Sequence, residues 1–486
     1  MARTPPRRPH RRRARRAPGG PADPAAPRRR RLTTRPPPVE GGTTSPRFRS
    51  LSHPNYRLYF AGSVVSNTGT WMQRVAQDWL VLTIPGNGGT ALGITTGLQF
   101  LPVLLLSPYA GVVADRLPKR VLLQVTQAVM ALAALALGVI AALGVAQTWH
   151  VYLLALVFGV GSAFDAPARQ AFVSEMVGPD DVANAVSLNS AAFNTARLVG
   201  PGIAGLLIGA FGGGMRATGW VILVNAVSYL AVIGQLRRMD VDALHSPRPA
   251  GRQPGMLRAG VRYLRTQPTM LMILVLVFFV GTFGMNFQIT SALMATDVFG
   301  KGAEEYGVLG SVLAVGSLTG ALLAAGRTRI RLRLPILAAA AFGVLEVVAG
   351  LAPSYLTFVL LCPLLGLSVI TVMNSCNALL QTSADPLMRG RVMAIYMTII
   401  MGGTPLGAPL IGWIGQAFGA RWTLVVGGAL VLVGVLAAVA LHRTLTRADD
   451  ARPASADDAG AHGAEHGVAQ GVEQGVERAL EPAVKR

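Results

Sequence analysis

The sequence predicts an all-α polytopic membrane protein: twelve transmembrane helices arranged as two six-helix, pseudo-symmetric halves. Three observations predict it. Apolar residues make up 51% of the 486 residues and charged residues only 14%, with a mean hydropathy of +0.46; soluble domains do not show that balance. The apolar residues are gathered into long runs, and about 20 of them suffice to span a bilayer as a helix. One arginine-rich stretch, 238–268, interrupts the runs midway and leaves six on either side.

Residues 1–47 are Arg/Pro-rich, with RRPHRRRARR and PRRRR blocks and no apolar signal core. They read as a disordered cytoplasmic tail touching anionic lipid, or as sequence ahead of the working start. A nucleic-acid arm is disfavoured because aromatic residues for base stacking are absent there. The N-terminal half, 48–237, opens on an interfacial lead-in, Phe48-Arg-Ser-Leu-Ser-His-Pro-Asn-Tyr-Arg57. Its apolar runs fall near 56–84, 90–114, 121–145, 149–174, 186–211 and 216–237. The linker 238–268 carries Arg248, Arg252, Arg258, Arg262 and Arg265. The C-terminal half, 269–443, has runs near 269–297, 304–326, 334–352, 354–384, 391–418 and 421–441. Residues 444–486, rich in Ala, Gly, Glu and His, read as a second disordered cytoplasmic tail.

The net charge of +21 does not point to nucleic acid. Fifteen arginines and only two acidic residues fall in the first fifty positions. Much of the remaining excess lies in alternate short connectors, which is a topology signal. With the N-terminus inside, the inner connectors carry Arg116, Lys119 and Arg120, then the linker arginines, then Arg327, Arg329, Arg331 and Arg333, then Arg389 and Arg391. The outer ones carry only Arg216, Lys301 and Arg421, and one inner connector, 175–185, is acidic instead. Both termini are therefore expected in the cytoplasm. Cys362 and Cys376 lie fourteen residues apart in one run, about 21 Å along a helix, too far for a disulfide.

The connector Gly111-Val-Val-Ala-Asp-Arg-Leu-Pro-Lys-Arg120 reverses the chain between two runs. Its G-x-x-x-D-R-x-x-[RK]-[RK] pattern resembles the cytoplasmic loop 2–3 signature of the major facilitator superfamily of secondary transporters. The resemblance covers about residues 48–445. Phe164-Asp-Ala-Pro-Ala-Arg-Gln-Ala-Phe172, Leu188-Asn-Ser with Asn194-Thr-Ala-Arg-Leu-Val-Gly-Pro201, and Asn225-Ala-Val-Ser-Tyr229 are similar to the branch that includes the enterobactin exporter and macrolide-efflux permeases. It implies the major facilitator fold in a bacterial cytoplasmic membrane and proton-driven efflux of a small organic molecule. The Gly200-Pro201 element resembles the fifth-span motif associated with antiporters, departing from it at Ala204. The halves also echo each other. Gly69-Thr-Trp-Met-Gln73 matches Gly284-Met-Asn-Phe-Gln288, and Gly200–Gly205 matches Thr404–Gly412. Paired interruptions of this kind point to a binding site between halves.

Ionisable residues within hydrocarbon need a partner or a wet cavity. Asp165 and Arg197 fall near the midplane on consecutive helices; as a pair they would form a proton-sensitive latch, or a static pair that orients the bundle. Arg74 and Asp78, four apart, share a helix face and are expected to pair. With Gln73 and Gln77 they line either a substrate path or an outer gate. Glu346 has no obvious local partner and is either a second proton site or a polar packing residue. Proton-coupling candidates are thus Asp165, Asp78 and Glu346. Asn194, Asn286, Gln288, Asn374 and Asn377, with Arg197, are further path candidates, or interhelical glue. Gly111, Asp115, Arg116, Lys119, Arg120, Arg169 and Glu175 form an expected cytoplasmic gate. In it Asp115 caps a helix of the other half and the basic residues pair with Glu175, Asp180 or Asp181. Gly200 and Pro201 permit a bend in the fifth span.

The sequence holds no phosphate-binding loop, metal motif or nucleophile elbow, so an ATP-driven pump or a membrane enzyme has no support. Three readings stand: a proton-coupled exporter of a hydrophobic compound, an importer of the same superfamily, or a transport-inactive scaffold working through its tails. No cofactor is expected beyond the proton gradient, and a twelve-span bundle is expected to work as a monomer.

Overall fold

A computed structural model describes residues 46–245, 256–327 and 330–450. Of the tails expected at 1–47 and 444–486, residues 1–45 and 451–486 lie outside the described residues, as do Arg248, Arg252 and Arg329. A short 3-10 turn, Pro46–Ser52, leads into α1 (Pro54–Thr83). Then follow α2 (Gly89–Arg116), α3 (Lys119–Ala142), α4 (Thr148–Met176), α5 (Val182–Ala210) and α6 (Met215–Arg238). After a short linker helix, α7 (Met256–Arg265), the second half begins with α8 (Pro268–Phe279) and α9 (Phe287–Leu293). It continues with α10 (Ala303–Ala325), α11 (Arg333–Gly350), α12 (Tyr355–Ser383), α13 (Arg389–Phe418) and α14 (Ala420–Asp450).

Eleven helical segments among the described residues are long and apolar enough to cross a membrane. The remaining long helix, α1, has 30 residues, but Arg57, Arg74, Asp78, Gln73 and Gln77 dilute its hydropathy. Local chemistry sets the ends. Pro54 and Pro268 occupy first turns, where a missing N–H costs nothing, and Ser354 caps α12 through the Thr357 N–H. Gly419, at φ 100°, makes the turn between α13 and α14, a conformation side chains disfavour.

Two expectations need correction, and the linker carries a helix of its own. The loop 2–3 signature is mostly helix: α2 runs through Arg116, so only Leu117 and Pro118 separate it from α3. The 238–268 linker contains α7, whose Leu264 is buried and whose Gly260 sits against Arg391 and Ile395 of α13. Helix α14 continues to Asp450, past the expected tail start at 444, because 442–450 contains no Gly or Pro to stop it.

Within the first half α1 packs on α5 and α6, α2 on α4, and α3 on α4 and α6. In the second, α10 packs on α12, α11 on α12 and α14, and α8 on α14. The halves meet along α2 with α13 and along α5 with α10. Both seams are glycine-lined at the end away from the termini. A Cβ on Gly89 or Gly93 would strike the carbonyls of Gly412 and Ala408; one on Gly205 would strike those of Ala303 and Glu304. Gly205 and Gly412, which the sequence echo pairs, thus make equivalent contacts on the two seams.

Toward the termini-bearing end the halves part, as exposure along single helix faces shows. On α5, Val186 and Phe193 are 48% and 46% exposed, whereas Ala204 and Ile208 on the same face are sealed. On α13 the sequence is the same, from Met397 at 46% to buried Ala408 and Ile411. On α1 the face i, i+3, i+7 from Val64 passes through half-buried Asn67, Trp71 and Arg74 to buried Asp78. The space between the halves therefore tapers from a mouth at the termini-bearing end to a closed far end.

Candidate functional site

The far end is closed by more than packing. Tyr306 in the first turn of α10 donates its hydroxyl to Asp78 Oδ2 of α1 at 2.8 Å, and both residues are buried. The Trp79 indole stacks on the Tyr306 ring, with centroids 6.3 Å apart, and donates its own N–H to the Gly213 carbonyl. Among the described residues, Asp78 is thus the carboxylate of the first half that the second half holds directly. The expected Arg74–Asp78 pair does not form: Asp78 is drawn across the seam instead. The Arg74 guanidinium lies over two rings, 4.8 Å from the Trp71 centroid and 5.3 Å from that of Phe100. Gln73 turns away from the cavity and accepts a hydrogen bond from Asn225 of α6, and Gln77, one turn on, is buried too. Gln73 is therefore helix–helix glue, not cavity lining.

The expected Asp165–Arg197 latch is also absent. The consecutive helices α4 and α5 are not main partners: α4 packs on α2 and α3, whereas α5 packs on α1 and α10. Asp165 instead accepts from Thr126 at 3.0 Å and Gln127 at 2.8 Å on α3, and pairs with Arg169, one turn along its own helix, at 2.9 Å. Arg169 accordingly belongs to this cluster and not to the gate. Its guanidinium also lies 6.0 Å from the Tyr59 ring of α1. Arg197 sits over the Trp71 ring at 5.6 Å.

At the termini-bearing end, Lys119 bridges to Glu175 at 2.7 Å. Arg120 donates to the carbonyls of Leu236 and Arg237, capping the C-terminus of α6. Asp115 and Arg116 are exposed, and among the described residues Asp115 caps no helix of the other half; Gly111 is half-buried inside α2. Asp181 takes Arg49 and His53, both at 2.9 Å, which ties the lead-in to the start of α5. Every one of these bonds lies within the first half.

In the second half, Glu346 is buried between α11 and α14. Its Cβ would touch one placed on Gly428, and its Oε2 has no hydrogen-bond partner. Asn286 marks the break between the π-helical turn Val280–Gly284 and α9; its amide donates to the Thr282 carbonyl while its Oδ1 has no partner. π turns are frequent where a helix serves a function. Gln288 and Asn374 are half-buried, Asn377 accepts from Gln381, and Asn194 bonds to Ser190 of its own helix. Gly200 receives α1 at Trp71, and Pro201 packs on Gly310 of α10. That wedge joins the halves, and α5 stays helical through it.

A family model described as transmembrane secretion effector matches residues 45–466. The chain belongs to that family of major facilitator transporters. It is similar to the multidrug efflux pump Tap of Mycolicibacterium fortuitum, 28% identical over 392 residues, which are 78% of this chain and 94% of that protein. The staphyloferrin A transporter of Staphylococcus aureus is 24% identical over 75% of this chain and 90% of its own length. Among solved structures, a bacterial homologue of the human lysosomal transporter Spinster, inward-facing and unoccupied, superposes with a TM-score of 0.64. It shares 15% identity and covers 81% of this chain and 98% of its own. That likeness establishes the fold. The chain is a multi-pass membrane transporter of small molecules.

Sequence reading passes over several of the residues that contact these candidates. Tyr306 looks like any tyrosine near a helix start, and only its burial beside Asp78 distinguishes it. Thr126 and Gln127 were legible in part, as adjacent polar residues in an otherwise apolar run. Phe100 carried no signal.

Proposed function

We propose that this chain exports a small, hydrophobic organic compound across the bacterial inner membrane in exchange for protons. In this reading both termini are cytoplasmic and α1 is the twelfth span. The tapered space is then the cytoplasm-facing state of an alternating-access cycle, and the glycine seams seal the outside. The multidrug efflux named for the Tap relative supports an organic substrate and the outward direction.

The observation that carries the coupling is the Asp78–Tyr306 hydrogen bond, a buried carboxylate bridging the halves at the sealed end. Ionised Asp78 is the stronger acceptor, so its charge favours the outside-closed state. Once the outside opens, Asp78 parts from Tyr306 and takes a proton from the exterior. The bond re-forms when that proton leaves along the α1 face toward the open mouth. Asp165, satisfied by three donors within one half, has the environment of a structural residue. Asp115 and Arg116, exposed here, are free to lock the cytoplasmic side in the opposite state.

The test is compound-dependent proton movement in proteoliposomes of known orientation. Asp78→Asn is expected to abolish proton movement, and Tyr306→Phe, which keeps the carboxylate, to slow exchange without uncoupling it. Wild-type coupling in the Asp78→Asn variant would remove Asp78 from the mechanism. Compound accumulation on the cytoplasmic side would reverse the direction.

A further inference from the structure

We infer that Arg74 and Arg197, stacked on the Trp71 indole and flanked by Phe100 and Phe193, form a binding site for a negatively charged group carried on a flat aromatic body. The inference rests on the export reading and names the substrate class it would carry.

The argument begins with charge. An arginine inside hydrocarbon is expected to hold a carboxylate or a row of carbonyls. Arg169 holds Asp165, and Arg421 donates to the carbonyls of Gly350 and Ala352. Arg74 and Arg197 do neither. Among the described residues no carboxylate oxygen lies within 4.0 Å of either guanidinium. The Arg74 Nε is sealed from solvent with no acceptor. The nearest acid along the helix, Asp78, is engaged by Tyr306 and acts on Arg74 only through space, beyond ion-pair distance, while no acid acts on Arg197. Two like charges therefore share one ring, 4.8 Å and 5.6 Å from its centroid.

Geometry then says what fits. Both arginines lie on the faces of α1 and α5 that taper from the mouth to the seal, both are half-buried there, and among the described residues neither guanidinium donates a hydrogen bond to the protein. Guanidinium groups present forked donors that match carboxylate oxygens. The Phe193 ring meets the Trp71 indole edge-on, with centroids 5.8 Å apart, and is itself half exposed toward the mouth. A carboxylate would satisfy the guanidiniums while its aromatic body lies against Phe193 and Trp71. A cation would be repelled by both arginines, and a neutral compound would leave Arg197 unneutralised.

The probe is one aromatic nucleus with three headgroups: 1-naphthoate, 1-naphthamide and 1-naphthylmethylammonium. Binding to the full chain is measured by calorimetry in phosphatidylcholine nanodiscs, so that no lipid headgroup supplies net negative charge. Naphthoate is expected to bind at least about tenfold more tightly than either analogue, since each charged hydrogen bond counts for roughly ten- to hundredfold. Arg74→Gln and Arg197→Gln should each erase that preference, and Arg197→Lys should keep part of it. In the absence of ligand, Arg197→Gln should unfold at a temperature no lower than wild type, because it removes an unneutralised charge. Equal binding of the three, preference for the ammonium, no binding by any, or marked destabilisation by Arg197→Gln would each overturn the site. Outward flux of cations alone, unaffected by Arg197→Gln, would remove the anion site and keep the export reading. Naphthoate binding without flux in either direction would do the reverse.

Discussion

Replacing Gly93 by valine tests whether the far-end seam closes the transporter. A Cβ at Gly93 would strike the Ala408 carbonyl and crowd Pro409, and these are backbone or ring atoms that cannot swing aside. Overpacking of this kind costs about 1–3 kcal/mol, and only in the state where α2 and α13 touch there. The equilibrium between that state and one open at the far end therefore shifts by roughly 5- to 150-fold. If the far-end-open state starts at about 10%, it rises to roughly 35–95%. The assay is maleimide labelling of Phe193→Cys, which lies at the mouth and is 46% exposed; the native Cys362 and Cys376 are buried and give little background. Labelling at position 193 should slow as the mouth closes. Gly234→Val is the control, since nothing lies within 4 Å of a Cβ at Gly234. Equal labelling of the two variants, or faster labelling of Gly93→Val, refutes the reasoning.

Three further outcomes follow from the buried charges. Asp165→Ala should destabilise the protein by about 3–5 kcal/mol by stranding Arg169, whereas Asp165→Asn, which still accepts from Thr126 and Gln127, should cost less; equal shifts in thermal unfolding would contradict the cluster. Lys119→Ala and Glu175→Ala should be non-additive by about 0.5–3 kcal/mol in a double-mutant cycle, and simple additivity would mean that their contact carries no weight. Glu346→Gln keeps the shape of an unpartnered buried acid, so unfolding temperature and proton exchange should match or exceed wild type; loss of exchange would make Glu346 the coupling carboxylate in place of Asp78.

The helices were legible because each is an apolar run bounded by polar residues, and that period survives whatever the run packs against. The two glycine seams were half legible: the echo of Gly200–Gly205 in Thr404–Gly412 was visible, but not that Gly205 meets α10 and Gly412 meets α2. Side-chain partners were the least legible. Asp165 and Arg197 stand on consecutive helices, so adjacency in the chain suggested a pair, yet α4 and α5 belong to different parts of the bundle. Arg74 and Asp78 have the spacing of a helical ion pair. A tyrosine 228 residues away outbids that local geometry, because a buried carboxylate takes the donor that reaches it with the least rearrangement. Long-range partners of this kind leave no periodic trace.

The two halves share one architecture but divide the chemistry. The first half places Asp78, Arg74 and Arg197 along the faces that line the tapered space, and holds Asp165 and Arg169 in its interior. The second half answers with Tyr306, ring and backbone surfaces, and the broken α8–α9 segment; its buried acid, Glu346, is turned between α11 and α14. A charge that must gain and lose a partner during a cycle is best placed against a neutral one. A phenol can release a carboxylate without leaving an opposite charge stranded in hydrocarbon, which an arginine or lysine could not do. In the proposed exchange cycle, the pairing of an acid on α1 with a hydroxyl on α10 would therefore give a seam that holds when closed and opens at small cost, whereas an ion pair at the same place would resist each opening.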